Sequence, residues 1–180
     1  ELARLMVGRE ISDMYPERTK LASDAEVVLE ARDIVIPGAV HGASFTLRRG
    51  EVLGFGGVVG AGRTALIEAV LGLRTRSGGE VLRNGQPVAL RHLRDAVRQR
   101  IAYLTEDRKG KGLVLNMGLR PNFTLLNLRA YCRPLIDRRR EEQAFQAAVE
   151  RFDIRLRTQA STAAELSGGN QQKLLLAKVM

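Results

Sequence analysis

Between Gly54 and Leu66 the chain reads GFGGVVGAGRTAL, five glycines within nine residues, with an apolar run before it and a helix-like apolar stretch after it. Three structures accept such a run. One is a tight strand-to-helix turn, where glycine takes positive φ without a steric penalty. A second is a dinucleotide fingerprint, since Gly60, Gly62 and Ala65 fit G-x-G-x-x-A. That reading requires an acidic residue about 20 positions on, at the end of a second parallel strand. Glu80 lies near that distance but opens a hairpin directly after Gly78-Gly79. The third is a mononucleotide phosphate loop, G-x-x-x-x-G-K-[ST], over Gly57, Gly60, Ala61, Gly62, Arg63 and Thr64, with arginine in place of lysine. Side-chain-free N–H groups followed by a helix N-terminus suit a phosphate. Thr64 would present a hydroxyl to Mg²⁺. Arg63 keeps the positive charge but exchanges a compact ammonium for a planar fork.

The flanking pattern places this loop in an α/β chain. Glu26–Ile36 is β-branched and partly alternating, a strand. ASFTLRRGEVLGFGG predicts a second strand, a turn at Gly50 and a third strand entering the glycine loop. A buried helix is expected over Thr64–Leu73, with Leu66, Ile67, Val70 and Leu71 inward. Asn84-Gly85 marks a type I′ hairpin, RHLRDAVRQR a helix, and IAYLTE a buried strand. A long charged loop follows from Asp107, then helices around Phe123–Tyr131 and Asp137–Phe152, then a loop and a final helix. Residues 1–24 read as an amphipathic linker helix and a polar connector.

Composition narrows the partners. The chain has 180 residues, 44% apolar and 4% aromatic, so aliphatics build its core. No apolar run reaches the ~20 residues of a membrane span, and the N-terminus shows no signal-peptide pattern. The lone Cys132 reads as a structural thiol. The net charge of +9, mostly arginine, suits phosphate-bearing partners. Nucleic acid is not expected: the densest basic run, Arg138–Arg140, is followed at once by Glu141-Glu142, and no aromatics interleave with the cations.

Two further strings join the glycine loop. LSGGNQQK, Leu166–Lys173, stands at a helix start roughly a hundred residues later; Ser167 caps that helix and Gly168 and Gly169 leave their amides open to a phosphate. EDRKGKGL, Glu106–Leu113, follows the IAYLTE segment. Together GxVGAGRT, EDRKxxGL and LSGGNQQK resemble the second, C-terminal cassette of the fused double-cassette ATPases of bacterial monosaccharide ABC (ATP-binding cassette) importers, the ribose, galactose, xylose and arabinose type. The opening MVGREISDMYP resembles the linker between their cassettes.

The resemblance implies an α/β P-loop NTPase cassette with an antiparallel β lobe (about 26–90), a helical lobe (about 120–167) and a signature helix (168–180), so that residues 25–180 form a partial nucleotide-binding domain. It implies ATP and Mg²⁺ at Gly57, Gly60, Ala61, Gly62, Arg63 and Thr64, with Thr64 on the metal. Glu106 takes the Q-loop position, where an acid would repel a triphosphate unless Mg²⁺ or Arg108 intervenes. The signature residues Ser167, Gly168, Gly169, Asn170 and Gln171 would serve the nucleotide of a partner cassette. That partner is the first cassette of the same polypeptide or a second ATPase subunit; a membrane permease is contacted directly and a periplasmic sugar-binding protein indirectly. The expected location is peripheral, on the cytoplasmic face of the bacterial inner membrane. The four-apolar-Asp-Glu strand and the switch histidine of such proteins do not occur in these 180 residues, so the chain is expected to be cut before the Walker B strand, to hold no catalytic residue and to be inactive alone. Two alternatives stand beside this reading: a non-hydrolysing regulatory cassette and, more distantly, a dinucleotide-binding oxidoreductase domain.

Overall fold

The computed structural model describes residues 21–22, 24–132, 134–158 and 160–180; the expected linker helix lies outside them. The chain divides into two compact units, with Gln99 closing the first and Arg100 opening the second.

The first unit is built on an antiparallel sheet of four strands in the order β2-β1-β3-β4. Strand β1 spans Val27–Ile36 and β2 Val40–Arg48; β3 is Gly78–Arg83 and β4 Gln86–Pro87. The expected hairpin forms at Asn84-Gly85, where both residues take positive φ (49° and 75°), as a type I′ turn requires. Helix α1, Arg63–Val70, ends short of the expected Leu73. Its inner side buries Leu66, Ala69 and Val70, with Leu71 just beyond, in a core shared with Ala31, Ile34, Ile36, Val81 and Leu82; Ile67, also expected inward, is only half-buried. Helix α2, Leu93–Arg98, is short and opens on a capping box between His92 and Asp95.

Two expected strands are absent. The segment from Glu51 into the glycine loop and the segment Ile101–Thr105 join no sheet among the described residues. Each alternates inner and outer side chains with the two-residue period of a strand. Alternation sets side-chain direction only; a strand also needs a neighbour to complete its ladder, and a parallel one is reached through a long crossover. Val52 is accordingly 97% exposed.

The second unit is helical. Arg108–Gly112 makes one wide π-type turn; α3 spans Leu119–Thr124 and runs into a 3₁₀ stretch, Leu125–Tyr131, broken at Asn127. Helix α4 covers Arg138–Arg151, with the Asp137 carboxylate accepting from the Arg139 and Arg140 amides. Helix α5 is Gly168–Val179. Their core joins Leu113, Leu119, Phe145, Ile154, Leu166, Leu174 and Leu175. Asn122, fully buried, organises the preceding loop: its amide donates to the carbonyls of Val114, Met117 and Gly118 and accepts from the Val114 N–H. The Arg138–Arg140 run is exposed, a solvated helix start as the sequence suggests.

Candidate functional site

The first candidate surface is the glycine loop. Phe55 enters it stacked edge-on against Phe45 of β2, with ring centroids 5.1 Å apart. Gly60 and Gly62 take φ of 87° and 80°, the left-handed region closed to most side chains. Gly62 has a second constraint: a Cβ there would stand 2.6 Å from the Ala39 carbonyl oxygen. The loop is therefore pinned on the β1–β2 turn by close backbone contact. From Gly57 to Thr64 it is exposed apart from half-buried Gly62. The Ala61 N–H closes a turn on Val58 O at 3.1 Å, and the helix begins with Leu66 N–H donating to Gly62 O at 2.8 Å. The amides of the first turn of α1, from Arg63 on, point along the helix axis at its positive end. The Arg63 stem folds back over Gly57, whose absent Cβ would lie 3.6 Å from Arg63 Cδ.

The second surface, in the second unit, joins the Glu106–Leu113 segment to the start of α5. Ser167 Oγ accepts from the Asn170 N–H at 3.4 Å and from its side-chain amide at 3.1 Å, so the expected cap is present. Ser167, Gly168 and Gly169 are exposed. The other two expected signature residues are engaged within the unit, Asn170 half-buried and Gln171 buried. Asn170 Oδ1 accepts from the Arg155 N–H at 2.9 Å, and buried Gln171 donates to Ala163 O at 3.0 Å. Just upstream, Thr162 and Glu165 form a capping box. Hydrogen bonds from the Thr162 amide at 3.1 Å and then its hydroxyl at 2.9 Å hold the Glu165 carboxyl below its ordinary range.

Glu106 is exposed. After it, Asp107 shapes the turn: its carboxylate accepts from the Gly110 N–H at 2.8 Å, and its carbonyl accepts from the Lys111 and Gly112 amides at 3.0 Å each. Glycine here serves close contact. A Cβ on Gly110 would fall 2.4 Å from Asp107 Oδ2, and one on buried Gly112 would stand 3.0 Å from a Leu175 methyl. Arg108 donates to the Gly168 carbonyl in the first turn of α5. Lys178, in its last turn, donates to Gly112 O at 2.8 Å, and burial pushes its ammonium below the ordinary lysine value. Neither of these long-range bonds was signalled in the sequence. The D-x-x-G spelling of the Asp107 turn could have been read as a side-chain-closed turn.

A family model described as ABC transporter matches residues 40–180. The chain belongs to the ABC transporter family. Over 179 residues it is 38% identical to the ribose import ATP-binding protein RbsA of Lacticaseibacillus paracasei, covering 99% of this chain and 35% of that protein. Over 180 residues it is 40% identical to a putative ribose/galactose/methyl galactoside import ATP-binding protein of Burkholderia cenocepacia, again 99% of this chain and 35% of that one. The chain thus spans about a third of the length of the curated relatives it matches. Solved structures agree on the fold. The dimeric bacterial ABC transporter cassette MJ0796 superposes with a TM-score of 0.67 at 16% identity, covering 84% of this chain and 68% of that one. Clostridium perfringens cbiO1, part of the cbiONQ ABC transporter complex, gives 0.63 at 17% identity, covering 86% and 61%. The architecture is accordingly that of an ABC ATPase cassette. Glu80, the acid that a dinucleotide reading requires, lies on antiparallel β3 and pairs with Arg32 at 3.2 Å. Among the described residues no helix is long and apolar enough to cross a membrane.

Proposed function

We propose that the chain is the second cassette of a fused double-cassette ATPase that drives monosaccharide import, with ribose-type sugars as the substrate class. One observation carries this reading: relatives named as ribose import ATP-binding proteins match 99% of the chain at 38% identity. The glycine loop supports a phosphate role, because Gly60 and Gly62 leave backbone without side chains ahead of the α1 N-terminus. Its own nucleotide would be held weakly. Arg63 lies across Gly57, in the loop a phosphate would enter, where a lysine in the usual spelling reaches outward as a point charge. In this reading Gly57, Gly60, Ala61, Gly62 and Arg63 would contact the phosphates and Thr64 would ligate Mg²⁺, which neutralises phosphate charge when bound.

The signature turn serves a different nucleotide, bound by the partner cassette. Ser167, Gly168 and Gly169 present the anion-binding end of α5, while Asn170 and Gln171 hold that end in place. The Arg63 geometry also favours a second reading for this half alone, a cassette that binds nucleotide without turnover. The Glu106 segment would face the permease on the cytoplasmic side of the inner membrane. The 180-residue chain by itself should release no phosphate from ATP.

The test uses the full-length ATPase with its permease. Ser167→Arg should remove most ATP hydrolysis and sugar uptake, whereas Arg63→Ala should cost much less. If Arg63→Ala proves the more damaging, the division of labour between the two surfaces is wrong.

A further inference from the structure

Helix α5 is tied at both ends to one five-residue turn. The turn is closed internally by Asp107: its carboxylate takes the Gly110 amide, its carbonyl takes those of Lys111 and Gly112, and Leu113 N–H donates to Arg108 O at 2.8 Å. From this frame Arg108 reaches the Gly168 carbonyl. Ten residues further along α5, roughly 15 Å at the helical rise, Lys178 returns to Gly112 O at 2.8 Å. Between the two ties Gly112 packs tightly against Leu175 and Thr105: an added Cβ would meet Leu175 carbons at 3.0 and 3.1 Å and Thr105 Cγ2 at 3.3 Å, closer than ordinary van der Waals contact.

The Arg108 tie has an electrostatic cost. A guanidinium at the first turn of a helix opposes the macrodipole, which favours an anion there. Its place is set by geometry: the fork lies against Gly168, where an added Cβ would stand 3.2 Å from Nη1 and 3.7 Å from Nη2. Glycine at 168 thus leaves the guanidinium its place, and a methyl group there would push it back by a few tenths of an ångström.

We propose that Arg108 is a positioning residue for the signature turn: through the Gly168 carbonyl it makes the Glu106–Leu113 segment and α5 one mechanical body, so that a displacement of that segment reorients Ser167, Gly168 and Gly169 together. The inference rests on the reading of that turn as the anion-binding end of a cassette pair. It gives the glycines of EDRKGKGL a purpose opposite to flexibility. They let a rigid coupling close.

The experiment uses the full-length ATPase with its permease and follows ATP hydrolysis across ATP concentrations. Arg108→Ala should lower kcat roughly tenfold, equivalent to about 1.4 kcal/mol. Gly168→Ala, which displaces the guanidinium, should do the same, and the double variant should be no worse than the poorer single one, because both remove one contact. Amide hydrogen exchange should rise at residues 168–172 in Arg108→Ala while the Leu174–Leu175 turn keeps its protection, which separates a loosened turn from a damaged fold. Lys178→Met should loosen the far end of the coupling and lower kcat less. Additive losses in the double variant, or wild-type turnover and exchange in Arg108→Ala while Ser167→Arg is inactive, would overturn the inference alone. Undiminished hydrolysis in Ser167→Arg would remove the reading beneath it, and the inference with it.

Discussion

The glycine loop and the Asp107 turn use the same residue in opposite ways. At Gly60 and Gly62 the absent side chain permits left-handed backbone in a loop that is otherwise exposed. At Gly110, Gly112 and Gly168 it permits contact with Asp107, Leu175 and Arg108, and none of these three takes a positive φ. The first loop is held by its shape and one backbone approach, the second by side chains that reach across the unit. Glycine content alone therefore says little about mobility; what lies within 4 Å of the missing Cβ decides.

Substitutions to alanine can break or sharpen that contrast. The largest loss is expected at Gly62→Ala, which combines the left-handed penalty of ~1–2 kcal/mol with a Cβ 2.6 Å from the Ala39 carbonyl, for a total of about 3 kcal/mol. Urea unfolding would read it, and a loss no greater than at Gly60 would show that the Ala39 contact does not hold the loop. Next comes Gly112→Ala. Overpacking against Leu175 should cost about 1–2 kcal/mol with no change in backbone preference, checked by the same unfolding curves. Gly60→Ala follows at about 1 kcal/mol, since nothing lies within 4 Å and only the φ of 87° opposes it.

The smallest effect belongs to the capping box before α5. The folded-state pKa of Glu165 is depressed, so its contribution is present above the unfolded glutamate value and is lost as pH falls through the folded one. Thermal midpoints of the parent chain and Glu165→Gln should therefore differ at neutral pH and converge in acid below the ordinary glutamate range. A constant gap across that window would assign the difference to packing.

These contrasts mark where the sequence was legible. The Asn84-Gly85 turn, the Ser167 cap and the inward face of α1 are written within a few residues of where they act, and each formed. The two expected strands at 51–55 and 101–105 carry the right alternation, but ladder pairing depends on a neighbour that no local pattern specifies. Arg108 was legible as a charge near Glu106. Its bond to Gly168, 60 positions away, was not, because a long side chain's partner is set by packing. Of the five signature residues, the exposed Ser167, Gly168 and Gly169 follow from helix-end chemistry, whereas the Asn170 bond to the Arg155 amide and the burial of Gln171 needed the fold.

The unpaired segment that leads into the glycine loop also governs how this chain behaves at high concentration. Val52 is 97% exposed, and Val58 and Val59 are 79% and 98% exposed beside it. Backbone that joins no sheet among the described residues and carries β-branched apolar side chains is a template for another copy of itself. At low ionic strength the net charge of +9 keeps copies apart. Added salt shortens the reach of that repulsion to about 10 Å at 0.1 M and leaves the valines unscreened, so self-association of the isolated chain should grow with ionic strength.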